Sequence, residues 1–115
     1  MSDDDKSQKP DFVPYDAAAV IETTKAVFPR STAELLQEST GIPMRSITRW
    51  IKGESRMPPK LVAKLEKQRQ LRDEFSAEIR ALYADMRTEG LTKQVARSAI
   101  LELAYAEDFQ EIDPI

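Results

Sequence analysis

Arg45 and Arg49 stand four residues apart in a stretch that reads as a short helix, so both guanidinium groups leave the same face. An arginine held on such a helix can donate to O6 and N7 of one guanine together, the commonest base-specific contact in a DNA major groove. Lys52 and Arg56 follow them and suit phosphate oxygens, which position a protein on a duplex without reading its sequence. These four residues belong to a local concentration of charge. Residues 41–72 hold nine Lys or Arg against two Asp or Glu, a net +7, while residues 1–40 sum to −4 and residues 73–115 to −6. A whole-chain charge of −3 hides this basic segment.

The rest of the composition removes other chemistries. The 115 residues include no Cys and no His. Disulfides, thiol nucleophiles, most zinc sites and histidine acid–base catalysis are thereby excluded. Ser, Lys, Tyr and carboxylates remain, but no spacing suggests a nucleophile elbow or a phosphate loop. Glu102, Glu107, Asp108, Glu111 and Asp113 read as surface groups and not as metal ligands. No catalytic residue, cofactor or metal is expected, and the chain reads as a non-enzyme. Its acidic first residues, Met1 to Lys6, are unlike a secretion signal. No apolar run approaches the ~18 residues of a membrane span. Together with the lack of Cys, this predicts a cytoplasmic protein without a membrane partner.

Helical periodicity dominates, and no segment reads as a strand. Asp16 can cap a first helix from Ala17 to about Phe28, with Ala18, Ile21, Thr24 and Phe28 on one face. Pro29 stops it. Ser31 and Glu34 have capping-box spacing for a second helix, Thr32 to about Ser39, burying Leu35 and Leu36. Gly41 suits a tight turn that needs positive φ, and Pro43 suits the first turn of a third helix ending near Lys52 and Gly53. Leu36, Ile42, Ile47 and Trp50 are the expected shared core. Trp50 lies one turn from Ile47, which makes it a core residue and not a base-stacking platform. The opposite face presents Met44, Arg45, Thr48, Arg49 and Lys52.

Pro58 and Pro59 open a long fourth helix that nothing breaks before Thr88, with Gly90 just beyond its end. Leu61, Val62 and Leu65 begin its apolar set. Phe75, Ile79, Leu82 and Met86 follow with the 4-3-4 spacing of a coiled-coil seam. Thr92 caps a fifth helix to about Ala106, and Phe109, Ile112 and Ile115 leave the tail able to pack. The seam can pair with a second copy or pack on the first or fifth helix. The basic run from Lys60 to Arg72 can contact phosphates or merely solubilise the helix.

Residues 31–65 resemble the Cro/phage-repressor group of helix-turn-helix regulators, the XRE-like type. The resemblance lies in Gly41-Ile42, in Arg45, Ser46, Ile47, Thr48, Arg49 and Trp50, and in Gly53 followed by proline and an amphipathic helix. It implies DNA contacts from Pro43, Met44, Arg45, Ser46, Thr48 and Arg49, and a homodimer on a palindromic operator, usually as a repressor. The sequence departs from the group at Gln37, where Ala is usual, and at Thr40, where an apolar residue is usual. Either departure allows a shifted helix or a lengthened turn. The fourth and fifth helices lie outside the family core and resemble dimerisation extensions of small phage and plasmid regulators.

The expected protein is all-α: a disordered acidic arm (1–15), a helix-turn-helix DNA-binding domain (16–72) and a helical dimerisation extension (73–115). Its expected role is a sequence-specific regulator of transcription, a dimeric repressor binding double-stranded DNA. Two rivals stay open. One is a packaging or recombination accessory of a phage or mobile element, small-terminase- or excisionase-like. The other is a protein-interaction module that retains the motif as scaffold.

Overall fold

The computed structural model of the chain describes residues 15–115 and is all-helical over them. The helices are α1 (Ala17–Val27), α2 (Thr32–Thr40), α3 (Met44–Ile51), α4 (Pro59–Thr88), α5 (Lys93–Ala104) and α6 (Glu107–Gln110). The expected acidic arm, apart from Tyr15, lies outside the described residues.

α1 begins where Asp16, in an extended conformation, accepts the amide of Ala19 on Oδ1 at 3.1 Å. This cap satisfies one of the amides that a helix start leaves unpaired. Asp16→Ala should cost about 1 kcal/mol. Thermal melting should register that as a fall of several degrees in Tm, about 4–8 °C per kcal/mol for a unit of 60–100 residues. The buried face of α1 follows the periodicity reading at Thr24 and Phe28 and departs from it at Ala18. Thr24 is buried and donates its hydroxyl to the Val20 carbonyl at 2.8 Å. Val20, Val27 and Phe28 pack on the core, whereas Ala18 is exposed.

The expected capping box does not form. Ser31 sits in the left-handed region at φ 53° and makes no side-chain cap. A capping serine needs extended backbone to bring its hydroxyl over the amide two or three residues on. The reversal between α1 and α2, made in residues 28–31, places Ser31 elsewhere. Thr32 instead donates its hydroxyl to the Phe28 carbonyl, tying the start of α2 to the end of α1.

Three residues, 41–43, join α2 to α3. Gly41 adopts φ 73°, which L side chains rarely tolerate, and returns its amide to the Gln37 carbonyl at 2.7 Å. Thr40 explains its own departure from the apolar pattern. Its hydroxyl donates to the Leu36 carbonyl at 2.7 Å and accepts the Ile42 amide at 3.1 Å, bridging helix and turn. Pro43, at φ −59°, leads into α3. α3 ends in paired bonds around Gly53, with the Gly53 amide on the Trp50 carbonyl and the Glu54 amide on the Arg49 carbonyl.

These elements enclose one small core of Leu36, Ile47, Trp50, Met57, Leu61 and Leu65. Ile42, expected within it, is half-buried at its edge, and Leu35, expected to be buried, is half-buried. Met57 lies in the loop before α4 and is buried, which no periodicity announces.

α4 contributes only its first turns to this head. Its 30 residues span about 45 Å at 1.5 Å per residue, and every residue from 70 to 82 is exposed. The molecule extends 64 Å along its long axis with a radius of gyration of 19.0 Å, against about 13 Å for a compact chain of this length. Gly90, at φ 102°, reverses the chain after α4. Thr92 then caps α5 by accepting the Val95 amide. α5 stops at Ala104, shorter than expected, because the chain turns at residues 105–106 into α6. The tail returns to the head. The Ile115 amide donates to the Ser39 carbonyl at 2.9 Å, and its side chain packs on the core. Phe109 and Ile112 stay exposed, so the expected packing of the tail falls on Ile115 alone.

Candidate nucleic-acid interface

Ile47 and Trp50 determine which side of α3 is free. Both are buried, and they anchor the eight-residue helix against Leu36 of α2 and Leu61 and Leu65 of α4. At about 100° per residue around the axis, Thr48, Lys52, Arg45 and Arg49 fall in one arc opposite that buried pair. Arg45, Arg49 and Lys52 are exposed, and Thr48 is half-buried on the edge of the arc. Met44 and Ser46 flank it, both half-buried, and Pro43 is exposed at the N-terminal end. Among the described residues, no salt bridge or side-chain hydrogen bond engages Arg45, Arg49 or Lys52. The arc therefore offers two guanidinium forks and an ammonium group to whatever approaches it. Lys52 is the C-cap residue of α3, so it belongs to this face and not to the chain beyond it.

Arg56 sits apart from the arc. Its guanidinium lies over the Tyr15 ring, 5.2 Å from the centroid. Tyr15 in turn accepts the Met57 amide on its hydroxyl oxygen at 3.1 Å. This small assembly fixes the loop between α3 and α4 and orients an exposed cation beside the arc. Composition assigns Tyr15 to the disordered arm, whereas the structure half-buries it. A contact spanning 42 positions leaves no local trace by which to foresee it.

The basic start of α4 is divided. Lys60, Lys64 and Lys67 are exposed on a flank turned away from Leu61 and Leu65. Lys64 donates to the Ile115 carbonyl at 3.4 Å. Arg69 turns back to α1, 3.9 Å from Glu22 and 3.3 Å from the Thr23 hydroxyl. That pair is partly exposed and contributes little to stability.

Among the described residues no cluster of three or more carboxylates is arranged to hold a metal ion, and no helix is long and apolar enough to cross a membrane. No protein-family model matches the chain, and neither a curated protein nor a solved structure matches it.

Proposed function

We propose that the protein is a sequence-specific, double-stranded-DNA-binding regulator of transcription, acting in the cytoplasm as a repressor on an inverted-repeat operator. The observation that carries this reading is the α3 arc, where Arg45, Arg49 and Lys52 are exposed opposite the buried Ile47 and Trp50. A helix held by one face, with two arginines on the other, can enter a major groove about 12 Å wide and present bidentate donors to guanine. Pro43, Met44, Ser46 and Thr48 border the arginines and would touch the same groove. Lys52, Arg56, Lys60 and Lys64 would meet phosphates. The net +7 of residues 41–72 supports this, because the basic segment contains this helix in an otherwise acidic chain. The acidic remainder would repel DNA wherever this face is not docked. The chain works on this reading by occupying its site and not by catalysis.

Selection of bound fragments from genomic DNA, followed by footprinting, tests the reading. The expected site is an inverted repeat with half-site centres about 10–10.5 bp apart, or a multiple of that. Two copies using three or four phosphate contacts each would neutralise roughly 6–8 phosphates, giving a log–log salt slope of about −5 to −7. An asymmetric footprint with ring assembly or DNA bending would favour the packaging or recombination accessory. No selected site and a slope near zero would favour the interaction module.

A further inference from the structure

The outer part of α4 and most of α5 form a stalk that the described residues leave largely uncovered, with Ala96 the buried residue of α5. Phe75 and Leu82 are 62% and 60% exposed, and Ile79, Met86, Ile100 and Leu103 also face solvent. α4 and α5 are not close-packed along their length. Between them runs an open groove of about 490 Å³ floored by Ile79, Tyr83, Ala96, Ile100 and Leu101. Its polar lining comprises Ser76 and three cations, Arg80, Lys93 and Arg97. Among the groove-lining residues there is no carboxylate.

The other flank of α4 has the opposite character. At about 100° per residue, Phe75 and Leu82 form a ridge whose neighbours on the side away from the groove are Glu74, Glu78 and Asp85. One chain therefore carries both halves of a joint: an apolar groove with a basic rim, and an apolar ridge with an acidic border. We infer that a second copy of this chain fills the groove, each copy seating its Phe75–Leu82 ridge between α4 and α5 of the other. The charges also select an orientation. Two parallel copies of α4 about a shared two-fold axis bring opposite flanks together, acid against base. Antiparallel copies would bring like flanks together. A parallel stalk puts both heads, and both α3 arcs, at one end.

This inference deepens the two-copy part of the proposed function and rests on it. Its test is read on the full-length chain without DNA, so the two can fail separately. Light scattering at micromolar concentration should give twice the 13.1 kDa chain mass. Leu82→Glu changes a side chain exposed in the single chain, so helicity should persist while the dissociation constant rises about 100-fold or more. The double variant Glu78→Arg with Asp85→Arg should not pair with itself, nor should Arg80→Glu with Arg97→Glu. Mixed, the two should pair, since each ridge then meets a rim of opposite charge. The chain has no Cys, so Phe75→Cys and Leu82→Cys should each give a disulfide-linked dimer on oxidation, whereas antiparallel stalks could bring at most one of these positions, about 10 Å apart along α4, against itself. A monomeric wild-type chain would overturn the inference, as would a dimer indifferent to Leu82→Glu, a mixture that fails to pair, or an absent cross-link. A dimer with these properties that binds no DNA would leave the joint standing and remove the DNA reading alone.

Discussion

Replacing Trp50 with alanine should destabilise the head by about 3–5 kcal/mol, the cost of emptying a buried aromatic site that cannot fully collapse. Trp50 is 7% exposed and belongs to a core that offers few alternatives, since among the described residues its other buried members are Leu36, Ile47, Met57, Leu61 and Leu65. At roughly 0.05–0.15 kcal/mol per residue, a chain of this size has only about 6–17 kcal/mol in all, so the loss is a large share. Urea unfolding followed by circular dichroism should show a lower midpoint. Trp50→Phe, which keeps most of the volume, should recover much of it. DNA binding should fall in step with the folded fraction. A variant that melted like the wild type yet no longer bound DNA would make Trp50 a DNA-touching residue and contradict its burial.

The parts of the fold that are legible in the sequence are those encoded within a few residues. Gly41, the Ile47–Trp50 pair and Gly53 delimit α3, because positive φ and one-turn spacing are local requirements. Pro58 and Pro59 mark the start of α4, and the absence of any breaker carries it to Thr88. The seam of Phe75, Ile79, Leu82 and Met86 is legible as apolar surface, but whether it folds inward depends on where α5 lands, which no period encodes. Ser31 misleads because a capping-box spelling presumes extended backbone, and the short reversal after α1 puts that residue at φ 53°. Ile115 reaching Ser39, and Tyr15 reaching Met57, join positions far apart in the chain. At the candidate interface, the outward placement of Arg45 and Arg49 follows from their spacing against Ile47. The same spacing places Lys52 on that face, and α3 closes on it as its C-cap residue.

Arg45→Ala and Arg49→Ala should each reduce affinity for the selected operator by about 1–3 kcal/mol per half-site, or about 5- to 150-fold. On an inverted repeat every substitution acts twice, so the loss per two-copy complex should approach double that value if the half-sites are independent. Both side chains are exposed and, among the described residues, without an intramolecular partner, so melting should not change. The decisive comparison is with random DNA at matched salt. An arginine that reads guanine leaves random binding nearly intact when removed, and the specificity ratio collapses. An arginine that only meets phosphate weakens both alike, and its removal lowers the salt slope by about 0.9 for each phosphate no longer neutralised, nearly 2 for the pair of copies. Lys52→Ala is the internal standard for that second behaviour. If Arg45→Ala and Arg49→Ala track Lys52→Ala in both salt slope and specificity ratio, α3 docks on the backbone and base recognition must lie elsewhere in the head.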